Sequence, residues 1–377
     1  MNKIWKYFKS RSSFSLYKCF FHVSFKDTLS MSRSIHSSDT FVKMPDSTWI
    51  LSDGTMGMMS QSFALAQSLG LEATDLRAVP TPWLRLFPSH AAIPGWQLTL
   101  GRKPDWLKAG IFPELLITCG TRMAGLSVGI RRLTSQRTKT IHIQDPRISP
   151  HHFDMLIVTA HDDMAALAGT PGYEHVLVST GSLNRLTRDA IAEQATSLPT
   201  PFSRLHAPVY AVMIGGHNKR YKAGAQAFAD LGRQLAALAN KTGASLALIP
   251  SRRTPAHHLK NLTIALTGLS YTLWDGQDPN PYPGILGQAD AVIVTSDSVN
   301  MTSEAALTGK PVIVATLREE EGRIADFHAR MKANHHTVLL EEALENPDIL
   351  STPFAVLDEM PSLSTQVRQH FGWQEPA

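Results

Sequence analysis

The chain has 377 residues, 43% hydrophobic and 18% charged, which is the composition of a globular protein with room for two domains. No apolar run reaches the roughly 20 residues of a membrane-spanning helix, and two cysteines, Cys19 and Cys119, without CxxC spacing give no sign of a disulfide framework or zinc site and fit a reducing, cytoplasmic compartment. The net charge of +4 is concentrated at one end: residues 1–44 hold eight Lys/Arg against two acids, so the rest is near −2 and offers nucleic acid no basic footprint.

Residues 1–44 are basic, Ser-rich and poor in acids. Organellar transit peptides have this composition. A start at Met31 or Met44, with a disordered or mis-assigned extension before it, explains the segment equally, and it is set apart from the fold. From there the chain alternates short apolar runs with amphipathic stretches, which predicts βαβ units and mainly parallel sheets. The predicted strands are Trp49–Leu51, Leu115–Thr118, Thr140–Ile143, Met155–Val158 and Val176–Val178, then Val209–Ile214, Ser245–Ile249, Thr272–Trp274, Ala291–Val294, Pro311–Ala315 and Thr337–Leu339. Runs such as AVIVT and PVIVA are apolar on both faces, as strands are when helices cover both sides of a sheet. Helices are predicted at Gln61–Leu69, Ala225–Leu238, Met301–Leu307 and Leu363–Phe371. The proline-rich stretch 78–101 reads as an insertion near the mouth of the first domain, and Thr196–Pro208 as the linker. The expected fold is α/β: a first domain over 45–200, a second over 207–345, and a helical tail over 346–377.

Four segments after strands of the second half carry polar groups where parallel sheets place ligands, beyond the carboxyl ends. In VTSDSVNMTSEAALTGKP, Ser296, Asp297, Ser298, Asn300 and Met301 surround a helix start whose free amides and dipole suit a phosphate. Glu304, one turn on, is placed to accept from ribose hydroxyls. The plainer alternative is that Ser298 or Asn300 caps the helix and Glu304 is a first-turn acid. In VMIGGHNKRY, Gly215 and Gly216 permit close backbone approach and Lys219 supplies positive charge, although the string is neither GxGxxG nor a P-loop. IPSRRTP places Ser251, Arg252 and Thr254 on the same edge, and the loop Trp274–Tyr282 offers a wall beside a base. In the first half, LSDGTMGMMSQ puts Asp53, Gly54 and Gly57 at a first βα turn without the third glycine of a dinucleotide fingerprint. Asp53 and His161 are the candidates for accepting a proton from an acceptor hydroxyl. Arg147, Asn184 and Arg185 also follow strand ends and would line the cleft. Sixteen histidines form no HExxH or other ligand spacing, so no metal is expected.

Taken in order, SDGTMGMMSQSFALAQSLGL, IHIQDPRISPHHFDMLIV, TGSLNRLT, VMIGGHNKRY, SRRTP and WDGQDPNPYPGILGQADAVIVTSDSVNMTSEAALTGKPV resemble the mitochondrial-fission "elongated mitochondria" family of plants and bacteria, over most of residues 48–330. Thr55 and Met56 stand where the family more often has a basic or small residue. The family is similar to GT-B glycosyltransferases, and the resemblance implies two Rossmann-like domains facing across a cleft. It implies a nucleotide-diphosphate sugar as ligand, no essential cofactor, and a lipid or polyol acceptor. The donor would be held by Gly215–Gly216, by Ser298–Met301, and by Glu304 ahead of Gly309-Lys310-Pro311. Arg252 and Lys219 would steady the leaving diphosphate. Plant members are associated with recruiting a dynamin-related protein at the cytosolic face of the outer mitochondrial membrane, so a non-catalytic adaptor is the alternative.

Overall fold

Two parallel six-stranded sheets organise the chain. The computed structural model describes residues 42–374 except 88–90, 92–95, 101–103, 217–222, 278–279 and 320, and residues 41–377 form one compact unit. The basic segment 1–44 therefore lies almost wholly outside the described residues, as does Lys219. In chain order the first half runs β1 Thr48–Ser52, α1 Met56–Ser68, β2 Ala73–Arg77, α2 Pro82–Leu86, α3 Asp105–Ala109, β3 Leu115–Cys119, α4 Thr121–Leu133, β4 Lys139–Ile143, β5 Met155–Thr159, β6 Val176–Ser179 and α5 Arg188–Ala195. The second runs β7 Val209–Ile214, α6 Ala225–Thr242, β8 Ser245–Pro250, α7 Ala256–Ile264, β9 Tyr271–Leu273, α8 Tyr282–Gln288, β10 Ala291–Thr295, α9 Val299–Ala306, β11 Val312–Ala315, α10 Arg323–Ala333, β12 Val338–Leu339, α11 Leu340–Glu345 and finally α12 Met360–Phe371.

The strand orders are β2-β1-β3-β4-β5-β6 and β12-β11-β10-β7-β8-β9. Each sheet has one point where the order reverses, between β1 and β3 and between β7 and β10, and doubly wound folds open a crevice there at the carboxyl ends. The central strands pack on both faces. Ile50, Leu115, Ile117, Ile141 and Ile157 point one way, and Leu51 and Leu116 the other. In the second sheet Val212, Leu248, Ile293 and Ile313 face α6 and α7, while Ala211, Met213, Val292 and Val294 face α8 and α9. This period of two, with both faces apolar, is what covering helices on each side impose.

The chain crosses between the halves at places the linker reading did not mark. Ile191 on α5 and Phe202 are buried in one cluster with Met213 of the second sheet and Leu286 of α8, so packing changes sides before the prolines of 199–208. The helical tail returns to the first half: Leu363 and Val367 of α12 and Trp373 are buried in the first sheet's core. Glu359, just ahead of α12, accepts from the amides of Thr180 (2.8 Å) and Gly181 (3.0 Å), which fixes the return. Within the 78–101 segment, Leu84, Ala91 and Trp96 are core residues. Trp96 presses on Gly129 of α4, where a Cβ would come within 2.6 Å of the indole.

Candidate active site

β7 and β10 end side by side, and their following loops are bound together. Gly215 N donates to Thr295 Oγ1 at 2.7 Å, and Gly216 N to Asp297 Oδ2 at 3.1 Å. Thr295 Oγ1 donates to Asp297 Oδ1 at 2.8 Å, and Arg253 reaches Oδ2 at 3.1 Å. The Asp297 side chain is wholly buried. Burial pushes its pKa up, against the hydrogen bonds and the Arg253 charge. Asp297, expected among the polar residues of the ligand edge, has both carboxylate oxygens bonded inside the protein. The glycines also have another cause than ligand approach. A Cβ on Gly215 would sit 1.9 Å from Asp297 Oδ1, and one on Gly216 would sit 2.0 Å from the Arg253 carbonyl oxygen.

The β8 loop closes on the same point. Thr254 Oγ1 lies 2.8 Å from the Ile214 carbonyl and 2.7 Å from that of Gly215, and receives the Ser251 amide at 2.9 Å. Ser251 and Thr254 therefore shape the glycine loop. Arg252 is exposed, and it is the neighbouring Arg253 whose guanidinium reaches Asp297.

Helix α9 starts at this junction. Ser298 is its N-cap, with Oγ accepting from Met301 N at 3.3 Å, so the capping reading of Ser298 holds in geometry. Ser296 gives its carbonyl to His328 Nε2 at 2.8 Å, from the second turn of α10. Val299, Asn300 and Met301 are half-buried, and the helix faces the other half: a Cβ on Gly57 would lie 3.4 Å from Asn300 Nδ2, and Ser303 Oγ accepts from Ser182 N at 3.0 Å. The two reversal points thus meet at the first turn of α9. Glu304 does not point freely at a ligand edge. Tyr282 donates to its Oε2 at 2.5 Å. Burial raises the Glu304 pKa to about 7, with the Tyr282 hydrogen bond opposing. The Tyr282 phenol is held well above its ordinary value by burial and by the Glu304 charge.

On the first-half side, Asp53 Oδ1 accepts from Thr55 N at 3.0 Å and Arg122 donates to Oδ2 at 2.6 Å. Burial disfavours the charged form, but the bonds from Thr55 and Arg122 outweigh it and hold the carboxyl below its usual range. A carboxylate so stabilised is a weak base, which argues against its expected role. Gly54, at φ 83, lies under the Arg77 guanidinium, 3.8 Å from a built Cβ. His161 sits on the seam, its ring 5.6 Å from Phe327 of α10. Its pKa is lowered, by burial first, and Nδ1 has no partner. Arg147 stays on its own loop with Asp145 at 3.3 Å. Asn184 Oδ1 is buried without a partner. Arg185 lies over Phe63 at 5.6 Å and within 3.4 Å of Gln67, on the flank of α1 and not with the other predicted residues. Among the described residues no cluster of three or more His, Cys, Asp or Glu side chains is arranged to hold a metal ion.

Arg122, Arg253 and Arg323 were not singled out from sequence. Arg122 had a signal, a fully buried strand followed by Gly-Thr and a helix, the same strand-Gly-helix pattern as Ser52–Gly54.

The family description "Mitochondrial fission ELM1" matches residues 56–371. The chain belongs to this family. The Arabidopsis thaliana mitochondrial fission protein ELM1 is 32% identical over 240 residues, 58% of this chain and 55% of the plant protein, so the match spans about half of that relative's length. An uncharacterized protein of Rickettsia prowazekii is 28% identical over 307 residues, 71% of this chain and 82% of its own. Among solved structures, the Neisseria meningitidis UDP-GlcNAc 2-epimerase bound to UDP-GlcNAc superposes with a TM-score of 0.52 at 14% identity, covering 86% of this chain and 98% of the epimerase. That likeness establishes the fold: two Rossmann-like layers of the GT-B kind, shared with nucleotide-sugar enzymes. Among the described residues no helix is long and apolar enough to cross a membrane.

Proposed function

We propose that this chain binds a nucleotide-diphosphate sugar at the β7–β10 reversal point and transfers the glycosyl group to a lipid or polyol hydroxyl without a metal. The carrying observation is the first turn of α9, half-buried at the end of a parallel strand and turned toward Gly57 of the opposite half. The amides of Val299 and Asn300 and the helix dipole suit a diphosphate. Arg252 and Arg253 add charge, and Lys219 belongs to the same expected set. Glu304 would take the ribose hydroxyls by exchanging its bond to Tyr282. His161 is the better candidate base, because burial keeps its ring neutral and so able to accept a proton, and Nδ1, buried in this conformation, has no hydrogen-bond partner. It would accept the acceptor's proton as the acceptor oxygen bonds to the sugar's anomeric carbon and the bond to the diphosphate breaks, with fixed dipoles stabilising the leaving charge.

One observation favours a second reading. Asp297 and the Arg253 backbone fill the space beside Gly215 and Gly216 that a ligand would use, and the plant relative is named for mitochondrial fission. An adaptor that recruits a dynamin-related protein fits a site occupied by its own side chains. Thermal shift against a panel of nucleotide sugars separates the two. A ligand at 100 times its dissociation constant adds about 2.7 kcal/mol of stability, and Glu304→Ala should weaken that ligand. Absence of a shift with every nucleotide and nucleotide sugar would leave the adaptor.

A further inference from the structure

Arg323 opens α10 in the second half, yet its guanidinium is bonded to the first. NH1 donates to Asp162 Oδ1 at 2.6 Å and NH2 to Asp145 Oδ2 at 3.2 Å. The Asp145 and Asp162 side chains are each 4% exposed, and the Arg323 side chain 35%. Asp145 follows β4 and Asp162 follows β5, so one side chain ties two neighbouring strand ends of the opposite half.

The connection continues beyond Asp162. Its Oδ2 accepts from Thr159 Oγ1 at 2.8 Å and from Thr159 N at 3.2 Å. A threonine hydroxyl has one hydrogen. With that hydrogen on Asp162, Thr159 can only accept from His161, whose Nε2 is 3.1 Å away. The ring proton is then on Nε2, and Nδ1 carries the lone pair. Phe327, one turn beyond Arg323, holds the ring edge-on from the same helix.

We propose that Arg323 is a positioning residue with two linked effects. It latches the halves together through Asp145 and Asp162, and through Asp162 and Thr159 it fixes His161 in the Nε2–H tautomer with Nδ1 ready to take a proton. The order of events is set by the chain of bonds. When the halves separate, Asp162 loses its cation and His161 loses its Phe327 wall, so the ring is free to turn away from Thr159 and lose its preferred tautomer. Only the use of Nδ1 as a base rests on the function proposed above. The latch and the tautomer stand without it.

The test uses the full chain and needs no nucleotide. Solution X-ray scattering reads the separation of the halves, and side-chain 15N NMR reads the His161 tautomer, its signal assigned with His161→Gln. Arg323→Gln should raise the radius of gyration and turn the single Nε2–H tautomer of His161 into a mixture. Thr159→Val should leave the scattering curve unchanged and lose the tautomer preference, while Thr159→Ser, which keeps the hydroxyl, should restore the wild-type ring signal and exclude a folding defect as the cause. A wild-type scattering curve for Arg323→Gln overturns the latch. A wild-type His161 spectrum in Thr159→Val overturns the relay. Failure of the nucleotide-sugar panel moves neither readout, so the two proposals fail separately.

Discussion

Glu304 gives the sharpest test of the second-half site, because its protonation is coupled to folding. Burial raises its pKa from 4.5 to about 7. In the unfolded chain the carboxyl ionises near its ordinary value, whereas the folded protein keeps the proton up to about 7. The stabilising contribution is therefore fully present below 4.5 and is lost as pH rises through 7, at roughly 1.4 kcal/mol per pH unit for this single group. The full loss is about 3 kcal/mol, on the order of two and a half units of differential proton affinity. Glu304→Gln retains an acceptor for the Tyr282 hydroxyl and cannot ionise, so it should escape that loss. Urea unfolding at pH 4.5, 5.5, 6.5, 7.5 and 8.5 for both proteins reads the difference directly, since every other titrating group is common to the pair and cancels. The variant should gain on the wild type by about 3 kcal/mol between pH 4.5 and 8, with most of the change between 5 and 7. Parallel stability curves would mean that Glu304 is ionised against solvent or ligand and that its burial beside Tyr282 is wrong. The same coupling extends to ligand: ribose hydroxyls donate to a carboxylate, so uptake of a nucleotide near pH 6 should release protons, measurable as a buffer-dependent heat.

The remaining predictions concern parts of the same framework. Gly215→Ala drives a methyl onto Asp297 Oδ1 and should cost about 1–3 kcal/mol by overpacking; in a double-mutant cycle Asp297→Ala should relieve much of that cost, and strict additivity would refute the close contact. Glu359→Ala strips the charged acceptor from two backbone amides and should cost about 2 kcal/mol, with faster hydrogen exchange confined to Thr180, Gly181 and α12. Leu363→Ala, on the tail helix but 3% exposed in the first sheet's core, should cost about 2–5 kcal/mol in global unfolding. A near-neutral result would refute the packing of α12 into that core.

The central strands were legible because covering helices force both faces apolar, as in AVIVT of β10 and LLITC of β3. β2 was missed for the converse reason. Ala73–Arg77 is an edge strand with an exposed face, and ATDLR carries more polar than apolar side chains. α4 was missed although Met123, Leu126 and Ile130 stand at helical spacing in its core face, because small residues interrupt that stripe and are buried with it. Ala124, Gly125, Ser127 and Gly129 lie buried among them, and Gly129 allows the close approach by which Trp96 covers the helix. α12 shows its amphipathic face in sequence, but nothing local names the core that receives it, since its partners Ile50 and Leu115 lie about 250 residues or more away in the chain.

At the site, sequence locates polar residues at strand ends but not the direction in which they spend their hydrogen bonds. Ser-Asp-Ser after a buried strand marks the β10 edge correctly. Whether Asp297 faces outward or back is decided by Gly216 and Arg253, 81 and 44 residues away. The same uncertainty separates Arg252 from Arg253, and a free Glu304 from one bonded to Tyr282. Glycine is the most ambiguous signal of all, because a missing Cβ makes room for a ligand or for the protein's own atoms equally well. Here the room beside Gly215 is taken by a carboxylate whose other bonds hold the loop in place. A diphosphate arriving at α9 would therefore meet backbone amides shaped by Asp297 and not the carboxylate itself, so the two acids of this site divide their effects. Substitution of Asp297 should lower stability and ligand affinity together, whereas substitution of Glu304 by Gln should raise stability above pH 7 while lowering affinity. That opposite sign is the physical signature of a buried acid kept for binding at the expense of the fold, and an inert domain with no ligand to hold gives no reason for it.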